Sequence, residues 1–162
     1  MKKLVLVVAA LVFAAGCSSK KKVEDQQAIT NQNIDSSPLG FDAAGSDSGK
    51  ISGLVTVHFE YDKSSLSTQA KKDLEGNAAW IKSNGKSLVQ IEGHCDDRGT
   101  IEYNLALGER RAQAVKNYLV GLGVPADRMS VISYGEEKPL VSGSSEDAWS
   151  KNRRANFLPI SK

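Results

Sequence analysis

Apolar residues gather at two places along the chain, a short unbroken run at residues 4–15 and a periodic series from Leu54 to Ile160. The periodic series carries the fold. Leu54-Val55-Thr56-Val57-His58-Phe59-Glu60 alternates, with Val55, Val57 and Phe59 on one face, and predicts a half-buried strand. Leu66, Ala70, Leu74, Ala78 and Ile81 recur at helical spacing and predict a helix over 66–83. Asn84-Gly85, a pair that tolerates left-handed backbone, is expected to close it. Leu88 to His94 alternates again, with Val89, Ile91 and Gly93 opposite Gln90, Glu92 and His94. Tyr103 to Leu122 is a second helical pattern, stopped before Gly123 and Pro125. Met129 to Tyr134 predicts a third strand, Glu146 to Asn152 a short helix and Arg154 to Ile160 a last strand. Strands alternating with helices place the region in the α/β class, an α+β sandwich with helices packed on one sheet.

The first apolar run is of another kind. Lys2 and Lys3 precede twelve residues, Leu4 to Ala15, with no charge among them. That length matches the core of a secretory signal and falls short of the roughly 20 residues that span a bilayer. Ala14-Ala15-Gly16 leads into Cys17, and this stretch resembles a lipobox, although Ala14 stands where Leu is usual. Residues 1–16 are thus expected to be a lipoprotein signal peptide, with Cys17 the acylated residue. One acyl chain anchors marginally and two or more anchor stably. In lipoproteins, Asp after the cysteine favours inner-membrane retention. Ser18 therefore points to the outer membrane, on its periplasmic face.

Residues 18–50 are rich in Ser, Asn, Gln, Asp, Gly and Lys, without periodicity, and cannot bury enough surface to offset their ordering entropy. The expected division is a lipidated cysteine and flexible tether over 17–50 and one domain over 51–162. Removing residues 1–16 takes away two of the 21 Lys and Arg and none of the 19 Asp and Glu, which leaves no net charge. A nucleic-acid binder normally carries a basic surplus, so that class is disfavoured. Once Cys17 is acylated, Cys95 has no disulfide partner and is expected to be buried.

Two segments carry the candidate chemistry. Glu92-Gly93-His94-Cys95-Asp96-Asp97-Arg98-Gly99-Thr100 lies at the carboxyl end of the second strand, where α/β sheets tend to place ligands. Asn104 to Ala112 opens the following helix, whose Leu107, Val115, Tyr118 and Leu122 trace an apolar track. Arg111 falls on that track, four residues from Leu107 and four from Val115. An inward arginine is costly unless something negative meets it. Two arrangements satisfy it. One is a structural salt bridge to Asp96. The other is a zwitterionic ligand, whose ammonium meets Asp96 and whose carboxylate meets the planar guanidinium. Spacing leaves both open.

Val57-His58-Phe59-Glu60-Tyr61-Asp62, Glu92 to Asp96, Asn104 to Ala112, Gly135 to Pro139 and Asn152-Arg153-Arg154 together resemble the OmpA-like peptidoglycan-binding domain. The run Asp96 to Thr100, then Glu102 to Asn104 and Leu107 to Ala112, is similar to the lipoproteins of the Tol–Pal system within that family. The resemblance covers more than 100 residues. It implies a single mixed four-stranded sheet and noncovalent binding of diaminopimelate in the peptidoglycan stem peptide, with no enzymatic activity and no cofactor. It also implies that Asp96 binds the ammonium and Arg111 the carboxylate, with Asp62, Arg98 and Leu107 lining the pocket and Asn104 and Asn152 fixing loops. Cys95 departs from the commoner Thr or Ala. The implied protein partners are the periplasmic propeller and the inner-membrane proteins of the Tol system.

Three alternatives compete. His94, Cys95, Asp96 and Asp97 are metal-ligand types, but strand neighbours point in opposite directions, so a metal site is disfavoured and His94 reads as a structural hydrogen-bonding residue. Glu92, Asp96 and Asp97 could supply paired carboxylates for glycoside hydrolysis. Docking of other proteins is the third.

Overall fold

In the computed structural model, residues 45–161 are described, the last of them by its backbone. Cys17 and most of the expected tether lie outside the described residues. A single mixed sheet of four strands runs in the order β1-β4-β2-β3. Its strands are β1 (Val57–His58), β2 (Ser87–His94), β3 (Met129–Gly135) and β4 (Arg154–Ser161). β4 lies antiparallel to β1 and β2, whereas β2 and β3 are parallel. Three α-helices, α1 (Thr68–Ser83), α2 (Ile101–Gly121) and α3 (Glu146–Asn152), complete the fold.

The core lies between α1, α2 and one face of the sheet. Leu74, Ile81, Val89, Ile91, Val115, Leu119 and Phe157 are fully buried there. Ile91 pairs across from Phe157 on the helix side, and Glu92 from Asn156 on the opposite face, as strand alternation requires. At the end of β2 the helix comes closer still. A Cβ on Gly93 would stand 1.9 Å from the Gly108 carbonyl oxygen of α2, so no side chain fits at this crossing.

Each long helix begins on a hydroxyl cap. Ser67 accepts from the Ala70 N–H and Thr100 from the Tyr103 N–H, which satisfies donors that the first turn leaves free. The other end of α1 departs from expectation. Asn84 has φ −95° and Gly85 is not left-handed. Closure comes instead from Asn84 Nδ2 donating to Trp80 O and from Arg128, whose guanidinium donates to the carbonyls of Ile81, Asn84 and Ser87.

β1 is also shorter than the alternating run 54–60. The buried Asn77 of α1 accepts from the Val55 N–H at 2.8 Å and donates to its carbonyl at 2.7 Å, taking the place of a neighbouring strand. The chain turns before it, where Leu54 N–H donates to Ile51 O. Val55 therefore faces solvent, and Leu54 joins Val57 and Phe59 inside. Residues 45–50 lie on the tether side of the boundary expected at 51, yet they pack on the sheet. Ser46 Oγ donates to Asn156 Oδ1 and accepts from Phe157 N–H, and Asp47 pairs with Arg154 at 2.9 Å.

Candidate functional site

The carboxyl end of β2, the first turns of α2 and the turn after β1 enclose a cavity of about 250 Å³. Asp62, Asp96, Arg98, Leu107 and Arg111, singled out in the sequence, all line it. Asn104 borders it as well, while Asn152 stands apart.

Arg111 is wholly buried, as its place on the apolar track of α2 implies. The salt bridge to Asp96 is absent. Arg111 Nε donates to Lys63 O at 2.8 Å, Nη1 to His94 O at 2.8 Å and Cys95 Sγ at 3.3 Å, and Nη2 to Glu60 O at 3.1 Å. A guanidinium has five N–H donors, so one on Nη2 has no partner among the described residues. Burial pushes its pKa down, and the charges of Asp96 and Asp62 act on it without contact. Arg111 thus fastens the turn 60–63 to β2, and its positive charge has no adjoining carboxylate. It lies at the cavity wall.

Asp96 has other cations. Its Oδ2 accepts from Arg98 Nη2 at 2.6 Å and from Arg153 Nη1 at 3.2 Å. Burial alone would raise this carboxyl, but the hydrogen bonds from Arg98 and Arg153 prevail and hold its pKa below the usual range. Among the described residues Oδ1 accepts only the longer bond from the Arg98 N–H at 3.3 Å, which leaves it acceptor capacity. Asp62 is held at φ 53°, a left-handed conformation that Asp tolerates better than most residues. Its Oδ1 accepts from the Tyr103 hydroxyl, and no cation pairs with it among the described residues.

Several contributors had no role in the sequence reading. Arg153 is buried between Phe59 O, Asp96 and Glu146. Arg98 is sandwiched between the rings of Tyr61 and Trp149, at 3.9 and 4.1 Å from their centroids. Trp149 in turn donates to Asp97, which docks α3 beside the loop after β2. Tyr61, Tyr103 and Arg153 all lay inside quoted motifs, yet nothing in their spacing shows that they converge.

The supporting residues divide clearly. Asn104 Nδ2 donates to the carbonyls of Asp96 and Arg98 and so shapes the loop that carries both side chains. Asn152 closes the loop before α3 through Leu140 N–H, Val141 N–H and Val141 O. Cys95 is buried, donates to Asn104 O, and its thiol pKa is pushed up to about 11 by burial. Such a thiol is a poor nucleophile. His94 differs from expectation: neither ring nitrogen has a hydrogen-bond partner among the described residues, Nε2 stands 3.8 Å from Glu92 Oε2, and the ring stacks on Tyr134 at 5.6 Å. Its carbonyl, rather than its ring, serves the site.

The carboxylates considered for hydrolysis are dispersed. Glu92 accepts from Asn156 on the opposite sheet face, Asp97 is engaged by Trp149 and Ser144, and Asp96 by two arginines. No group of three or more His, Cys, Asp or Glu side chains converges as metal ligands among the described residues.

The OmpA family model matches residues 58–153, which include every cavity-lining residue. A peptidoglycan-associated lipoprotein of Pseudomonas putida is 39% identical over 158 residues, covering 96% of this chain and 95% of that protein. The chain belongs to the peptidoglycan-associated lipoproteins of the OmpA family. Another such lipoprotein, from Rhizobium meliloti, is 40% identical over 157 residues, with 92% and 84% coverage. The crystal structure of the peptidoglycan-associated lipoprotein from Burkholderia pseudomallei superposes with a TM-score of 0.62 at 41% identity, over 64% of this chain and 88% of that one. Membership places the chain among non-enzymatic lipoproteins of the cell envelope. Among the described residues, no helix is long and apolar enough to cross a membrane.

Proposed function

We propose that the domain holds the side-chain end of diaminopimelate in the peptidoglycan stem peptide, and that acylated Cys17 fixes it to the outer membrane. The observation that carries this reading is Arg111, a fully buried cation with a spare N–H at a cavity and no adjoining carboxylate. A buried charge of this kind is costly until an anion meets it. The distal centre of diaminopimelate carries one carboxylate and one ammonium. The carboxylate joins Arg111, and the ammonium meets Asp96 Oδ1 and the free oxygen of Asp62. Arg98 and Leu107 border the intervening carbons. The Tol propeller and the inner-membrane Tol proteins are further partners in this reading, which links the outer membrane to the cell wall.

Sedimentation of the full chain with purified sacculi tests it. The chain should pellet with diaminopimelate sacculi, leave them intact, and pellet far less with sacculi whose stem peptides carry lysine. Equal recovery with both overturns the reading. For the anchor, Cys17→Ser should leave the membrane fraction, and retention there in a lipid-linked form overturns the assignment.

A further inference from the structure

A second opening lies on the other side of the turn after β1, a groove of about 620 Å³. One turn divides the two. Tyr61 and Asp62 line the first cavity, whereas Glu60 and Lys63 line the groove. Arg153 lines both. Arg111 fixes this partition, because it holds the carbonyls of Glu60 and Lys63 together.

The groove has a positive excess. Lys63 is paired there with Glu60, and Arg153 with Asp96 and Glu146, so Lys151 supplies the uncompensated charge. Lys151, exposed at the end of α3, has no ion pair among the described residues. His58 contributes no charge at neutral pH, since burial lowers its pKa below 6.5. Ser65 adds a hydroxyl to the lining.

We infer that this groove is a second anion subsite, which takes a carboxylate of the same peptide outside the bound zwitterion. The inference rests on the zwitterion reading above. A chain leaving the first cavity crosses the turn within a few residues, at about 3.3–3.6 Å each. The stem peptide has two candidate carboxylates, on the acidic residue preceding diaminopimelate and at its C-terminus. Both present the same chemistry to Lys151.

Calorimetric titration of the full chain in detergent separates the sources. Three synthetic diaminopimelate stem peptides are needed: one with both of these carboxylates amidated, and two with one or the other free. One free carboxylate should strengthen binding about two- to fivefold, as expected of an exposed ion pair. The gain should shrink in high salt. Lys151→Glu should abolish the gain and Lys151→Gln should halve it in free-energy terms. Absence of any gain, or a gain that survives Lys151→Glu, overturns the subsite alone. Failure of the doubly amidated peptide to bind overturns the zwitterion reading and the subsite with it.

Discussion

Two buried arginines, on opposite faces of one sheet, are treated differently. Arg154 on the back face meets Asp47 at 2.9 Å, and its neighbours close a self-contained set in which Asn156 donates to Glu92 and accepts from Ser46. Arg111 on the helix side meets carbonyls, a thiol sulfur and the Phe59 ring at 5.2 Å, but no carboxylate among the described residues. On the back face the arginine's charge is met by a carboxylate. The front is complete in geometry but not in charge, and the proposed binding site rests on that shortfall. Depth does not distinguish the two arginines, since Arg154 is 4% exposed and Arg111 0%.

The sharpest way to break this contrast is to remove each arginine. Arg111→Ala should abolish most peptide binding, because losing one partner of a buried charge pair costs about 2–5 kcal/mol. Arg111→Lys should fail similarly, as an ammonium cannot hold the carbonyls of Glu60, Lys63 and His94 in one plane. Circular dichroism must show each variant folded, and parent-like binding by folded Arg111→Ala would make this arginine purely structural. Arg154→Ala should do the reverse. Leaving the half-buried Asp47 carboxylate unpaired should lower stability by up to about 3 kcal/mol. The fraction that remains folded at low temperature should bind peptide normally, and a binding defect there would erase the division between the faces.

The smallest effect concerns acid. The pKa of Asp96 is lowered in the fold, so its contribution is fully present above the unfolded value of about 3.9 and is lost as pH falls through the folded value. Denaturant melts should show stability falling more steeply below about pH 4 in the parent than in Asp96→Asn. Equal slopes would mean that Arg98 and Arg153 do not depend on this carboxylate. Asp96→Asn should also weaken peptide binding at neutral pH.

The sequence made one half of this contrast legible. Arg111 sits four residues from Leu107 and Val115, so its inward direction follows from helical spacing. Its partners did not follow, because carbonyls at 60, 63 and 94 carry no residue-type signal and meet only in the folded chain. The same limit hid Arg153 and Trp149, whose roles depend on α3 docking across the loop after β2. Helices and long strands were read nearly to their ends from periodicity. β1 was not, since a single side chain, Asn77, replaces the strand ladder at Val55. Residues 45–50 looked like tether by composition, and four polar side chains nevertheless bind them to the back face: Asp47 and Ser46 from the segment, Arg154 and Asn156 from β4.

The crossing of Gly93 and Gly108 limits how this site could be redesigned. With 1.9 Å between a would-be Cβ and the facing carbonyl oxygen, neither backbone can accept added atoms. That crossing lies beside the cavity and is fixed, and Arg111 stands one turn further along the same helix. Substituting either glycine would push α2 off β2 and displace Arg111, so it offers no way to admit a bulkier amino acid. Any change of selectivity has to come from the opposite rim, where Tyr61, Asp62 and Arg98 are carried on loops that can alter length or composition.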